Sequence, residues 1–220
     1  MMVVRERFQE DLKELQSKLI DLGHMADEAL TRSLEALETK NVELALKIMD
    51  EDAKADSLEE DINDFAILLI AKQQPVAIDL RRIIVAIKIA TDIERIADFG
   101  VNIAKSAIRI GNEPLIKPIE HIRQMHKLTS DMLRMSIEAF NDEDIAKAKQ
   151  VAEMDDQVDS LYGQTIQDLL KLNQTNPEQI GQITQLSFVC RYLERAADHT
   201  TNIAENIFYL VKGKRYDLNG

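Results

Sequence analysis

Between Phe8 and Leu37 the residues Leu12, Leu15, Leu19, Leu22, Met25, Ala26, Leu30 and Leu34 recur at intervals of three and four. That spacing gathers them on one face of a helix and predicts a long first helix. Thr39-Lys40-Asn41 breaks the pattern, and Asn41 is placed to cap a second helix striped by Ala45, Ile48, Ala55, Ile62, Phe65, Ala66 and Leu69. Asp52 falls on that stripe. Gln74-Pro75 ends it, since the residue before a proline disfavours helical backbone. A third helix follows, with Ile83, Ala86, Ile87, Ala90, Ile93, Ala97, Val101 and Ala104 on its apolar face, and Gly111-Asn112-Glu113-Pro114 closes it.

The remainder repeats this plan. Met125, Leu128, Met132, Leu133, Ile137 and Phe140 mark a fourth helix, and Asn141-Asp142 are expected to cap a fifth, striped by Ala148, Val151, Asp155, Val158, Tyr162, Thr165 and Leu169. Asn176-Pro177 reads as a cap and first helical residue of a sixth helix, which runs to about Val211 and stops at Lys212-Gly213-Lys214. Leu34-Glu35-Ala36-Leu37 returns as Ile137-Glu138-Ala139-Phe140 at an offset of 103, whereas Glu94-Arg95 through Ala104 returns as Glu194-Arg195 through Ala204 at an offset of 100. The second connecting loop must therefore be shorter in the second half. Short loops make consecutive long helices antiparallel neighbours. The expected fold is all-α, two tandem, internally duplicated three-helix bundles, 1–112 and 113–220.

A formal charge of −12 argues against a nucleic-acid partner, because phosphate backbones are held by clustered Lys and Arg. Cys190 is the single cysteine, which excludes an internal disulfide and suits a cytoplasmic protein. Met1 to Gln9 has the character of neither a signal peptide nor a transit sequence. The longest apolar run, Phe65 to Ala71, is far short of the roughly 20 residues a bilayer span needs. Membrane association is expected only through partners.

The candidate chemistry lies in the acids. Glu94, Asp98 and Asn102 stand at i, i+4 and i+8, one drifting stripe on a helix, and Glu194, Asp198 and Asn202 repeat it. Asp52 and Asp56 match Asp155 and Asp159, with Asp52 and Asp155 where a core helix would carry an apolar side chain. An unpaired buried carboxylate costs several kcal/mol, so each needs a cation. If the second and third helices of each half pack together, Asp52, Asp56, Glu94 and Asp98 converge in one half, and Asp155, Asp159, Glu194 and Asp198 in the other. The cations are then either Arg81, Arg82, Lys88, Arg95, Arg191 and Arg195, or metal ions in two carboxylate-lined sites. Oxygen donors suit magnesium, manganese, calcium or iron; zinc more usually recruits Cys or His.

His199 takes the place of Phe99 in the repeat, so no histidine role is shared between the halves. It reads as structural; a phosphotransfer bundle using His199 is the alternative, as is a di-metal carboxylate oxidoreductase. His24, His121 and His126 read as surface or satisfied residues. There is no Ser-His-Asp set, glycine-rich phosphate loop or cysteine zinc pattern, and no Glu with His three residues on, so no enzyme is expected.

The paired Glu-Arg-x-x-Asp blocks, with Gln74-Pro75-Val76-Ala77-Ile78-Asp79-Leu80-Arg81 and the closing Ile207-Phe208-Tyr209-Leu210-Val211-Lys212-Gly213, resemble the PhoU family of phosphate-uptake regulators along essentially the whole chain. The resemblance implies two duplicated three-helix bundles and metal ligation by Asp52, Asp56, Glu94, Asp98, Asp155, Asp159, Glu194 and Asp198, with Asn102 and Asn202 as neighbours of the ligands. Iron, zinc, manganese or magnesium are the candidate ions. It also implies a negative regulator of the phosphate-starvation response and of phosphate uptake. Its partners would be the ATPase subunit of a phosphate ABC transporter and a sensor histidine kinase, and it would self-associate, as a homodimer.

Overall fold

The computed structural model describes residues 2–218, with side chains from Glu6 onward; Met1, Asn219 and Gly220, at the outer ends of the two expected halves, lie outside it. Long helices make up almost all of it: α1 Met2–Thr39, α2 Val42–Gln73, α3 Ala77–Ile110, α4 Glu120–Asp142, α5 Ile145–Thr175 and α6 Ile180–Lys212. Among the described residues there is no strand.

The turns follow from local chemistry. Lys40 turns the chain at φ 57, and Asn41 caps α2 by accepting the Leu44 N–H at 2.9 Å. Gln74 adopts left-handed backbone (φ 47, ψ 53) and donates its N–H to the Ile70 carbonyl, closing α2 before Pro75 as expected. The fifth helix begins differently from the expectation. Asn141 and Asp142 belong to α4, Glu143 turns at φ 51, and Asp144 is the cap, accepting from Ala146 N–H and Lys147 N–H. A cap requires extended backbone, and that is reached only after the left-handed residue. The offset of 103 maps Lys40-Asn41 onto Glu143-Asp144, so the repeat itself carried the correct position. Asn176 is likewise not a side-chain cap. Its Oδ1 is occupied by the Thr175 hydroxyl at 2.8 Å, and Pro177–Gln179 forms a 3-10 turn before α6 starts at Ile180. The connection shrinks from residues 74–76 in the first half to Asn176 in the second.

α1, α2 and α3 pack as one three-helix bundle and α4, α5 and α6 as another. Two further seams join them. Along α3 and α6, Arg81 donates to the carbonyls of Tyr209 and Leu210, Asp92 meets His199, and Phe99 meets Tyr192. Partners rise along one helix as they fall along the other, so the helices run antiparallel. The same holds for α1 and α4, where Thr31 meets His126 and Glu38 meets Arg123. Buried residues of both halves form one continuous apolar core. Gly100 lets α3 close on α1, since a Cβ there would stand 2.8 Å from the Ala29 carbonyl carbon. The link 111–119 is held by buried Gln182, which accepts the Ile116 N–H at 2.5 Å and donates to the Pro114 carbonyl at 3.1 Å. No helix among the described residues is long and apolar enough to cross a membrane.

Candidate metal centres

In the first half, α2 presents Asp52 and Asp56 to Glu94 and Asp98 on α3. The four are close enough that Asp56 and Asp98 act on Asp52, and Asp98 and Asp56 on Glu94. Burial, reinforced by these neighbours, raises Glu94 to about 7 against the opposing pull of Arg95. Burial, then Asp56 and Asp98, raise Asp52 as well, with Lys105 opposing. Arg95 straddles the cluster, 3.4 Å from the Glu94 carboxylate and 2.8 Å from that of Asp98. Asp56 is exposed; Asp52, Glu94 and Asp98 are half-buried.

In the second half, Asp155 and Asp159 of α5 meet Glu194 and Asp198 of α6. Asp155 is 5% exposed and Glu194 9%, so this cluster lies deeper. Burial, then Asp198 and Asp159, push Asp155 to about 6, moderated by the neighbouring Thr201 hydroxyl. Burial and then Asp198 push Glu194 to about 7, with Arg191 opposing at 2.5 Å. Asp198 is raised too, by burial and Asp159, with Arg191, His199 and Arg195 opposing. Asp155 Oδ1 and Glu194 Oε2 are buried with no hydrogen-bond partner. Such orphaned oxygens cost roughly 1–3 kcal/mol each or more when charged, and a hard or borderline cation would satisfy them.

The donor sets therefore fit an oxygen-seeking metal ion. Among the described residues no group of three or more His, Cys, Asp or Glu side chains is already gathered tightly enough to hold one. Carboxylates without an intervening cation splay apart through mutual repulsion, so an ion would have to draw them inward.

The cations expected around the acids divide. Arg95 and Arg191 pair with cluster acids, Arg82 pairs with Asp79 and Glu143, and Arg81 holds the α6 carbonyls. Arg195, the counterpart of Arg95, instead lies 5.1 Å over the Phe99 ring. Asn202 donates to Asp92 at 3.4 Å, across the seam between halves, while Asn102 is half-buried on α3. His199 donates from Nδ1 to Asp92 at 2.9 Å and sits 5.8 Å from the Phe99 ring, tied into the α3–α6 seam. Cys190 is buried, and burial pushes its thiol up to about 12.

Sequence reasoning missed Glu59 and Thr201. Glu59 acts on Glu94 and accepts from Thr91 and Asn63; it lies at i+3 from Asp56 and i+7 from Asp52, a helical spacing that could have flagged it. Thr201 stands where the first half has Val101, and only packing against α5 shows its use.

A PhoU domain model matches the chain twice, over residues 19–107 and 122–207, which reproduces the internal repeat. A phosphate-specific transport system accessory protein PhoU homolog of Clostridium acetobutylicum is 39% identical over 218 residues, covering 99% of this chain and 100% of that one. A homolog of the same description from Aquifex aeolicus is 39% identical over 204 residues, covering 93% and 92%. The crystal structure of PhoU from Pseudomonas aeruginosa superposes with a TM-score of 0.89 at 28% identity, covering 94% of this chain and 100% of that one. The phosphate transport system regulatory protein PhoU from Streptococcus pneumoniae gives 0.89 at 30% identity, covering 96% and 99%.

Proposed function

Since the chain belongs to the PhoU family, we propose that it is an accessory protein of phosphate transport that restrains uptake and the phosphate-starvation response when phosphate is plentiful. It does so without catalysis of its own, in the cytoplasm, by bridging the ATPase subunit of a phosphate ABC transporter and a sensor histidine kinase. A self-associated form, a homodimer, presents the helix faces to those partners. The phosphate transport system regulatory protein PhoU among the solved structures and the transport-accessory homologs support this reading.

The observation that carries the chemical part is the pair of converging carboxylate clusters, the second with two orphaned buried oxygens. Asp52, Asp56, Glu94 and Asp98 would hold one metal centre, and Asp155, Asp159, Glu194 and Asp198 the other. A bound ion supplies positive charge that neutralises acids otherwise held partly protonated, and so fixes α2 against α3 and α5 against α6. Iron, manganese or magnesium suit donors that are all oxygen, and zinc is the less usual candidate. Arg95 must turn away for the first centre to fill; Thr201 steadies Asp155 in the second.

Elemental analysis of the purified protein before and after chelation tests the centres. The expected result is metal in both halves, with Asp52→Ala and Asp56→Ala together removing it from the first half alone. No uptake under loading conditions would return the acids to salt bridges with Arg95 and Arg191. Co-purification of the transporter ATPase and the kinase with the loaded and the stripped chain tests the bridging role, which fails if neither is retained by either form.

A further inference from the structure

On one side the α3–α6 seam opens into a cleft of about 430 Å³, bounded by α3, the last turns of α6 and the segment that follows Lys212. Asp92 and Glu205 line it, and both are already engaged: Asp92 accepts from His199 and Asn202, and Glu205 accepts the Leu218 N–H at 2.9 Å. The cations that line it are not. Among the described residues, Lys88, half-buried on α3, and Arg215, exposed beyond α6, have no hydrogen bond or ion pair. Lys212 and Lys214 precede Arg215 and Asp217 follows it, a local excess of cations along the segment in a chain of net charge −12.

An ammonium and a guanidinium, unpaired, on separate elements and lining one cleft, are the donors an oxyanion requires. A phosphate monoester carries roughly two negative charges at neutral pH, and each of the two cations can give it a charge-assisted hydrogen bond. The cleft is also much larger than a bare oxyanion, within the roughly 300–1,000 Å³ of small-molecule sites. Tyr209 and Tyr216 line the rest of it, beside Thr91 and Asn206, so ring surface and polar groups are both available to a ligand body. We propose that this cleft binds a small organic phosphate ester, its phosphate on Lys88 and Arg215 and its body against Tyr209 and Tyr216. Lys88 comes from the first half and Arg215, Tyr209 and Tyr216 from the second, so the ligand would tie the halves together across their seam.

Calorimetric titration of the full chain tests this, in chelator so that no phosphate bridges metal in the acid clusters. The probes are adenosine monophosphate, glucose 6-phosphate and inorganic phosphate, the first two distinguishing a nucleoside from a sugar body. One ester is expected to bind at one site per chain, more tightly than inorganic phosphate. Lys88→Met and Arg215→Met should each weaken it about tenfold or more, the scale of losing a charge-assisted contact, while Lys88→Arg retains it. Absence of saturable binding by either ester at millimolar concentration overturns the proposal. So does unchanged affinity in both Met variants, or inorganic phosphate binding as tightly as the esters. Arg215 is exposed on the segment after α6, so its variant keeps the test decisive if the Lys88 variants fold poorly. None of the substitutions touches a carboxylate of the metal centres, and failure here leaves that reading standing.

Discussion

The two halves carry the same four acids in the same helical register and surround them differently. In the first, Arg95 bridges Glu94 and Asp98, Lys105 acts on Asp52, and none of the four acids has a buried oxygen without a partner among the described residues. In the second, Arg191 serves Glu194, while Asp155 and Glu194 each keep an orphaned oxygen. The cause lies at two positions of the repeat. Arg195 is drawn onto Phe99, whose counterpart His199 is itself claimed by Asp92, and Arg191 stands where the first half has Thr91. Duplication kept the acid register and let the surrounding charges diverge. The half that neutralises its own acids less is the half with more to gain from an ion.

The seam shows the same divergence. Phe99 stacks on Tyr192 at 6.1 Å, and the repeat-related contact is the hydrogen bond between His199 and Asp92. One side of the near-symmetric seam is apolar and the other polar.

The largest expected contrast is at this seam. Phe99→Ala should cost about 3 kcal/mol in urea denaturation, as a buried aromatic that also supports Tyr192 and Arg195, and His199→Ala about 1.5 kcal/mol, the worth of a hydrogen bond to a charged group. Equal losses would mean that the polar contact holds the halves as firmly as the apolar one. Next, Asp155→Asn should weaken metal binding in the second half about 100-fold and Asp52→Asn in the first about tenfold, read by competition with a chelating dye, because Asp155 is the more buried of the two. The reverse order would put the stronger centre in the first half. Arg95→Gln should tighten the first centre about fivefold, the upper value of an exposed ion pair; Arg195→Gln should leave the second within about twofold. A similar gain from both would show that the two arginines still act alike.

The halves also differ in their pH dependence. Glu94 and Glu194 are raised to about 7 and Asp155 to about 6, so the metal-free native state holds protons that the unfolded chain has already lost. The associated stability is fully present below the ordinary carboxylate range and is lost as pH rises through about 6 and 7. The melting temperature of the stripped protein should fall by about 10 °C or more between about pH 5 and pH 8. Metal loading should reverse the slope, since ligation requires the deprotonated acids. Asp155→Asn should flatten it more than Asp52→Asn; a flat profile in the stripped wild type would mean the acids are neutralised by their arginines alone.

The helices, their antiparallel neighbours and the duplicated acid register were legible in the chain because each rests on spacing: three and four for the apolar stripe, four for Glu94 to Asp98, 103 and 100 for the repeat. Even the correct cap of α5, Asp144, was present as the repeat image of Asn41. What spacing cannot carry is the meeting of residues far apart in sequence. That Arg195 would choose Phe99 over Asp198, that His199 and Asn202 would converge on Asp92, and that Lys88 would share a cleft with Arg215 depend on how α3 lies against α6. Local periodicity decides which face of a helix is buried; only the packing of one helix on another decides which charge finds which partner, and which is left without one.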